Sequence, residues 1–166
     1  MENIIIRKVS RRDNKGLANL IRTVFDEFNA PHQATVYTDP TTDNLSEVFR
    51  NEKSILWVAD FLGEPIGCCG VYPTKGLNEK CAELVKFYLF NEFRGKGIGK
   101  ILLNKSIDSA QKLGYTQLYL ESLPHFSGAV KTYSKLGFRS LSNPLGNSGH
   151  TACNIWMLKD LKYKKE

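Results

Sequence analysis

The most constraining feature of the sequence is a short glycine-rich, cationic segment between two regular patterns, Arg94-Gly95-Lys96-Gly97-Ile98-Gly99. Before it, residues 83–90 are mostly apolar and predict a strand. After it, apolar side chains recur at helical spacing until Gly114, which predicts a helix with a glycine end. Glycines let backbone N–H groups approach a ligand, and the N-terminus of a helix attracts negative charge. The segment therefore predicts an anion site, and a phosphorylated ligand fits it.

Length and composition indicate one globular domain over residues 1–166, since 42% hydrophobic and 24% charged residues are ordinary for a soluble protein. The apolar stretch 4–6 is followed at once by Arg7 and Lys8, so we expect no signal peptide. No apolar run approaches the ~20 residues of a membrane span. We therefore expect a cytoplasmic protein with no membrane partner.

The distribution of charge argues against a nucleic-acid-binding protein, and the spacing of the cysteines argues against a metal site. The net charge of +6 lies partly in the tail 159–165, and no compact basic face with interleaved aromatics is visible, which argues against a nucleic-acid-binding protein. The four cysteines have no C-x-x-C spacing, and Cys68 and Cys69 adjoin in a predicted strand, so they point to opposite faces. We expect reduced, buried thiols and no metal site.

The order of predicted elements indicates an α+β fold with a mixed central sheet of six to seven strands and about four helices. Strands are predicted at 4–9, 55–61, 66–72, 83–90, 117–120, 138–140 and 151–158, and helices at 14–28, after an N-cap at Asp43, at 98–113 and from Pro124 to Gly137. The strand, glycine segment, helix and strand from 83 to 120 form one β-loop-α-β unit, so its two strands are predicted to be parallel.

The spacing of the glycines excludes two common nucleotide-binding loops. A P-loop needs a glycine five positions before its Gly-Lys pair and Ser or Thr after it, where this chain has Arg94 and Ile101. A dinucleotide fingerprint needs G-x-G-x-x-G, whereas Gly95, Gly97 and Gly99 are spaced two and two. From this segment alone, a strand-to-helix turn that uses glycine only for its geometry stays open.

Two motifs, in this order, resemble the GNAT superfamily of acetyl-CoA-dependent N-acyltransferases. The pyrophosphate loop of that family has Arg or Gln, Gly three positions later, and Gly or Ala two positions further on, matched by Arg94, Gly97 and Gly99. A second family pattern, Y-x-K-x-G-F, is matched by residues 133–138. The element order is also that of the family, so the resemblance covers nearly the whole chain. It implies a GNAT-like domain with two parallel strands splayed around the cofactor.

The resemblance implies that acetyl-CoA is the acyl donor, with no metal. In the family, the pantetheine arm enters between the splayed strands and bonds to exposed backbone groups, much as an added strand would. In this sequence those groups would belong to Phe87, Tyr88 and Leu89. The pyrophosphate would lie on a loop of backbone amides and cationic side chains, formed by Arg94, Gly95, Lys96, Gly97, Ile98, Gly99 and Lys100.

Two side chains are candidates for the proton transfers of acyl transfer. The resemblance gives Tyr133 the role of protonating the leaving thiolate, and a phenol of pKa ~10 suits a thiol of pKa ~8.5. On helical spacing alone, Tyr133 would be a core residue beside Ala129 and Leu136. Glu83, at the start of the strand before the loop, is the candidate base, as in family members with a similar strand. Glu121 and unassisted loss of the proton to solvent are the alternatives.

The sequence does not identify the acceptor. In the family, the acceptor pocket comes from the first two helices, their connecting loop and the loop before the last strand. The candidates in this chain, besides Glu121, are Phe28, Asn29, His32, Tyr37, Asp39, Asn147 and His150. Any irregular loop has a similar composition. One departure is Phe126, which stands where many members have an Asn that contacts the pantetheine arm, and either His125 or Ser127 is a candidate to replace that contact.

The resemblance thus implies an N-acetyltransferase that moves an acetyl group from acetyl-CoA to a primary amine of a small molecule or peptide by direct attack. Two alternatives stay open. One is a GNAT-fold module that binds acyl-CoA without turnover, and the Tyr133 match argues against it. The other, less favoured than the enzyme, is a nucleic-acid-binding protein that uses the same basic loop. The oligomeric state, including a homodimer, stays open.

Overall fold

The computed structural model describes residues 3–161, so the end of the charged tail lies outside the described residues. Within that range the strands form a seven-stranded mixed sheet in the order β1-β2-β3-β4-β5-β7-β6. The strands are β1 Ile4–Lys8, β2 Ile55–Phe61, β3 Glu64–Tyr72, β4 Cys81–Leu89, β5 Gln117–Ser122, β6 Arg139–Leu141 and β7 Ile155–Asp160. The same residues form four α-helices, α1 Asn14–Glu27, α2 Leu45–Val48, α3 Ile98–Lys112 and α4 Ser127–Lys135. This confirms the α+β fold predicted from the sequence.

The parallel pair predicted around the glycine segment is present and short. Neighbouring strands pair antiparallel except β4 and β5, which are parallel. Their pairing covers residues 81–83 of β4 and 117–119 of β5 and ends there. Beyond Glu83 the two strands diverge, so the rest of β4 has a free backbone edge on that side. The predicted splay is therefore confirmed.

A bulge interrupts β4 within the splayed part. Two residues of β4, Lys86 and Phe87, lie opposite the single residue Cys69 of β3. Lys86 has φ of 57°, a left-handed conformation that is uncommon for a residue with a side chain. The bulge shifts the alternation of side chains, and therefore changes which residues of β4 face each side of the sheet.

Helices cover both faces of the sheet and hold the splay in place. On one face, α3 buries Leu102 and Leu103 completely, and on the other α1 does the same with Leu17 and Leu20. Full burial of each such side chain contributes about 2 kcal/mol. Cys69 packs in the first cluster and Cys68 in the second, as predicted, and the four cysteines are free thiols. None of the helices within residues 3–161 is long and apolar enough to span a membrane.

Three local predictions need correction. Asp43 does not cap α2, because its carboxylate pairs with Arg22 at 2.7 Å and Asn44 holds the N-cap position. The last helix begins with a 3₁₀ turn at 124–126, so its α-helical part starts at Ser127. The last strand begins at Ile155 rather than residue 151, since residues 150–153 form a turn in which the Cys153 N–H donates to the His150 carbonyl at 3.1 Å.

Candidate active site

A cleft of about 450 Å³ opens where β4 and β5 diverge. Its walls come from the end of α1, the whole splayed part of β4, the glycine segment, the end of β5 and the start of α4. Among the lining residues are Phe28, Glu83, Lys86, Phe87, Tyr88, Leu89, Arg94, Gly95, Gly97, Gly99, Lys100, Glu121, Phe126, Tyr133 and His150. The cleft therefore brings together the predicted anion loop and both predicted proton-transfer residues.

The glycine segment has the geometry of an anion site. Gly95 and Gly97 have φ of 73° and 82°, which L-residues with side chains rarely adopt, and Gly97 is the N-cap of α3. Within the described residues, the backbone N–H groups of residues 95–100 donate to no protein acceptor. Unpaired amides at the N-terminus of a 15-residue helix bind an anion through hydrogen bonds and the helix dipole.

Two members of the segment have different roles in this geometry. A Cβ on Gly99 would lie 3.2 Å from Cζ of Phe87, so a side chain here would press on the aromatic ring beside the loop. Ile98 is 1% exposed and packs in the core, so only its backbone can reach a ligand. The absence of a side chain at Gly99 thus keeps the amides open.

The three cations of the segment are not equivalent. Arg94 forms a bidentate pair with Glu27 at 2.6 and 2.8 Å, and its Nε donates to the Leu89 carbonyl at 2.9 Å. It therefore ties α1 to the loop, a role that the sequence did not predict. Lys96 donates to the Glu92 carbonyl at 2.8 Å. Lys100 lines the cleft and has no ion pair within residues 3–161, which leaves its charge available to an anion.

Glu83 is a buried carboxyl at the point where the strands diverge, and it is 6% exposed. Burial raises its pKa to about 7; the Thr74 hydroxyl, which donates to Oε2, and the Lys86 ammonium act in the opposite direction, and Glu121 adds to the rise. Its Oε1 accepts no hydrogen bond within the described part of the chain. A carboxyl that titrates near neutral pH and has a free oxygen can act as a general base.

The raised pKa of Glu83 predicts a pH-dependent effect of Glu83→Gln on stability. The ordinary glutamate pKa of 4.5 applies to the unfolded chain. Between pH 4.5 and about 7, Glu83 is therefore mostly protonated in the folded state and mostly ionised in the unfolded chain. The stabilisation from this proton is full below the lower value and is lost as pH rises through the upper one. Gln keeps an acceptor for Thr74 and carries no charge. The free energy of unfolding of the variant, relative to that of the wild type, should rise by about 2 kcal/mol as the pH is raised from about 5.5 to about 8. Urea unfolding at the two pH values measures this change.

A control variant separates this effect from general changes of charge. Glu79 is exposed, and Glu79→Gln should follow the wild type at both pH values. An equal difference between Glu83→Gln and the wild type at the two pH values would contradict the raised pKa.

Glu121, the alternative base, is already occupied. Its Oε1 accepts from the Tyr119 hydroxyl at 2.8 Å and its Oε2 from the Ser148 hydroxyl at 2.6 Å. Burial and the Glu121 carboxylate raise the pKa of Tyr119, so this phenol stays a donor. With a donor on each oxygen, Glu121 fixes the loop before β7 and is less able than Glu83 to take a proton from a ligand.

Tyr133 is 7% exposed and lies between two aromatic rings, those of Phe87 at 6.0 Å and Phe138 at 5.9 Å. Its hydroxyl forms no hydrogen bond with any residue in the range 3–161. Burial raises the pKa of this phenol far above its usual value. Tyr133 therefore presents a neutral O–H in the cleft that is free to donate a hydrogen bond, and its raised pKa makes it a weaker acid than the phenol of ordinary pKa expected from the sequence.

The structure separates the predicted acceptor residues into two groups. Phe28, Glu121 and His150 line the cleft. Asn29, His32 and Tyr37 do not: His32 stacks on Tyr37 at 3.6 Å, and Asn29 lies in the turn after α1. The aromatic stack instead packs on the outer part of the α1 face, where His32 also pairs with Asp26 at 2.8 Å. These three residues are therefore outside the cleft.

Phe126, which replaces the Asn of many family members, belongs to an aromatic wall. Its ring lies 5.2 Å from Phe25, 5.6 Å from Phe28 and 6.4 Å from Tyr88, each at a steep angle. Edge-to-face contacts of this kind are favourable between aromatic rings. The side of the cleft next to α1 is consequently apolar.

Lys86 is a cleft residue that the sequence reasoning missed. It is half-buried, and burial lowers its pKa, while Asp39 and Glu83 oppose that change. Asp39 in turn pairs with His150 at 2.9 Å. The available signal was a lysine inside an otherwise apolar strand, a position where a charge needs a partner or a ligand.

No cluster of His, Cys, Asp and Glu side chains suited to a metal ion occurs among residues 3–161.

Comparisons with known proteins show the family of this chain. The family model described as "Acetyltransferase (GNAT) family" matches residues 19–138. The uncharacterized N-acetyltransferase YjgM of Escherichia coli is 31% identical over 158 residues, which cover 95% of each protein. The chain therefore belongs to the GNAT family of acetyltransferases, as the two motifs predicted.

Solved structures confirm the fold. An acetyltransferase of the GNAT family from Staphylococcus aureus has a TM-score of 0.83 at 23% identity, covering 96% of this chain and 99% of the other. The PaiA N-acetyltransferase of Thermoplasma acidophilum, solved in complex with coenzyme A, has a TM-score of 0.71 at 21% identity, with 95% and 98% covered. Both likenesses extend over nearly the whole of each chain.

Proposed function

We propose that this protein is an acetyl-CoA-dependent N-acetyltransferase that acts on the primary amine of a small molecule or peptide. The observation that carries the proposal is the composition of one cleft. It holds an anion loop with unpaired amides, a buried carboxyl with a free oxygen and a phenol with no protein partner. The three features match the binding and proton-transfer requirements of acyl transfer to an amine.

The residues of the cleft fit acetyl-CoA. When bound, acetyl-CoA supplies an acetyl thioester, whose carbonyl carbon accepts the amine as the carbon–sulfur bond breaks. The amides of residues 95–100 and the Lys100 ammonium bind the pyrophosphate. The unpaired edge of β4 at Phe87, Tyr88 and Leu89 offers backbone groups to the pantetheine arm.

The two proton transfers are assigned to the residues of the cleft. Glu83 takes the first proton from the acceptor ammonium and passes it to solvent, which leaves a neutral amine with a free electron pair. Tyr133 donates its hydroxyl proton to the departing sulfur. The second proton lost by the nitrogen restores the Tyr133 phenol, so one proton is released for each amide formed.

Release of the CoA thiol, followed across amines, amino acids, polyamines and peptides, tests the proposed function. We expect release above the amine-free background with at least one of these classes. If acetyl-CoA binds in calorimetry and none of the amines gives turnover, the alternative of an acyl-CoA-binding module without catalysis is favoured instead.

A further inference from the structure

We propose that the acceptor is a free α-amino acid with an apolar side chain, and that Lys86 binds its carboxylate. This inference rests on the proposed N-acetyltransferase function and narrows it to one substrate class. Three features of the cleft carry it: an unpaired ammonium, a base on the same side of the strand, and an apolar wall facing both.

The Lys86 ammonium is the unmatched charge at the acceptor end of the cleft. The carboxylates around it each have a protein partner: Glu83 has Thr74, Glu121 has Tyr119 and Ser148, and Asp39 has His150. Lys86 itself has no hydrogen bond or ion pair from its side chain among the described residues. A half-buried ammonium without a partner is costly, and a carboxylate from a ligand removes that cost.

The backbone holds Lys86 firmly in place. Its carbonyl accepts from the Cys68 thiol at 3.0 Å, within the bulge that gives it φ of 57°. The bulge is part of the pairing with β3, because it lets both Val85 and Tyr88 pair on either side while Lys86 takes the left-handed conformation between them. Strain of this kind is tolerated where the surrounding structure fixes it, and here it directs a lysine into the cleft.

Lys86 and Glu83 face the same side of the sheet. Ala82 and Leu84 pack in the cluster under α3, so Glu83 between them faces the α1 side. Lys86 lines the cleft together with Glu83 and with Val36, which lies in the loop that follows α1 and packs in the cluster under that helix, so its side chain reaches that side as well. The two charges are near enough to affect each other, yet they do not form an ion pair within 4.0 Å. An α-amino acid, with its amine and carboxylate on one carbon, fits between such a base and such a cation.

The apolar wall gives the preference for the side chain. Phe25, Phe28, Phe126 and Val36 line the α1 side of the cleft. Phe28 is 38% exposed, with the Arg94 guanidinium carbon 5.1 Å from the centre of its ring, and the exposed part is apolar surface that a ligand can cover. An amino acid bound through Glu83 and Lys86 would direct its side chain toward this wall.

The same charges disfavour the other amine classes. A polyamine would bring a second ammonium close to Lys86, where like charges repel. The N-terminus of a peptide has an amide in place of the carboxylate, so the Lys86 charge would stay unmatched. The cleft therefore favours the free amino acid among the amines considered.

Matched substrate pairs test this inference. L-Phenylalanine with 2-phenylethylamine, and L-leucine with 3-methylbutylamine, differ only in the carboxylate. In CoA-release assays we expect the wild type to prefer the amino acid in kcat/KM by roughly 10- to 100-fold, the size of one charge-assisted hydrogen bond. Lys86→Met should reduce this preference to about unity, chiefly through a higher KM for the amino acid. Lys86→Arg should retain part of it.

Lys112→Met is the control, because Lys112 is exposed at the far end of α3 and should leave the preference as in the wild type. If the wild type acetylates both members of each pair equally, or prefers the amine, the amino-acid assignment is wrong and the N-acetyltransferase function stands. If Lys86→Met keeps the full preference, the amino acid is still the better substrate, but the binding of its carboxylate by Lys86 is refuted.

Binding measurements separate this inference from the proposed function. Calorimetry of L-phenylalanine and of 2-phenylethylamine against the protein saturated with CoA needs no turnover. Binding of the amino acid that is lost in Lys86→Met, with no acetylation of any amine, would support the carboxylate site and contradict the enzyme. If the amino acid neither binds nor reacts, the site for it is refuted directly.

Discussion

Replacing Gly99 with Glu is expected to weaken acetyl-CoA binding at least about 100-fold, or roughly 2.7 kcal/mol, with little effect on folding. The backbone of Gly99 is not in the left-handed region, so the substitution causes no strain of its own. The new Cβ would lie 3.2 Å from the Phe87 ring, which needs to move only by tenths of an ångström. The carboxylate, in contrast, would lie among the amides that we assign to the pyrophosphate, where it repels the ligand and occupies its donors.

Two further variants at the same position separate charge from size. Gly99→Gln has the shape of Glu without its charge, and Gly99→Ala has only the Cβ contact with Phe87. We expect affinity to fall in the order Ala, Gln, Glu in calorimetric titrations, with the gap between Gln and Glu narrowing as salt is added. Thermal unfolding of each variant checks that the fold is retained. An affinity of Gly99→Glu within threefold of the wild type would refute the placement of acetyl-CoA.

Gly97→Asp should also weaken acetyl-CoA binding, but through backbone strain as well as charge. Gly97 has φ of 82°, so any side chain there strains the N-cap of α3 in addition to adding charge. Loss of binding in this variant is expected as well, but it mixes backbone strain with repulsion. For that reason Gly99 is the better position for the test, since the effect of charge can be measured there without backbone strain.

Most of the fold followed from local patterns. The run 55–61 became a strand with the same bounds, and Gly114 ends α3 with φ of 89°, because both features depend on side-chain periodicity and on the conformational freedom of glycine. The start of β7 was misplaced, because the segment from Thr151 onward was interpreted as one continuous strand, whereas the strand begins at Ile155. The preceding turn is fixed by the His150 carbonyl, and the Asn154 N–H donates to Ser122, a contact between distant parts of the chain.

The site was only partly predictable, and the reason is again distance along the chain. The motif marked Arg94 as a cation for the ligand, but its partner Glu27 lies 67 residues earlier, and only the packing of α1 brings the two together. Lys86 was overlooked because strand alternation assumes a regular strand, and the bulge that directs it into the cleft leaves no trace in hydrophobic periodicity. Tyr133 and Glu83 were named from the resemblance. Their surroundings are visible only in the structure, where Thr74 donates to Glu83 and the rings of Phe87 and Phe138 enclose Tyr133.

Tyr133→Phe is expected to lower kcat about 100- to 1000-fold with the affinity for acetyl-CoA unchanged. The hydroxyl has no hydrogen-bond partner within residues 3–161, so its removal leaves no protein group unsatisfied and should change the free energy of unfolding by less than about 0.5 kcal/mol. The ring contacts with Phe87 and Phe138 are kept. A large loss of rate with an unchanged stability would then be specific to the proton that Tyr133 donates.

Tyr115→Phe supplies the opposite pattern in the same protein. The Tyr115 hydroxyl donates to the Lys53 carbonyl at 2.8 Å, beyond the end of α3 and outside the cleft. Its removal should cost about 1 kcal/mol in urea unfolding and leave the rate of CoA release as in the wild type. Both variants lose one phenol oxygen from a buried ring. A difference between their rates of CoA release therefore depends on where the hydroxyl lies and not on the loss of a hydroxyl as such. A Tyr133→Phe rate within threefold of the wild type would transfer the protonation of the sulfur to solvent and remove Tyr133 from the catalytic residues.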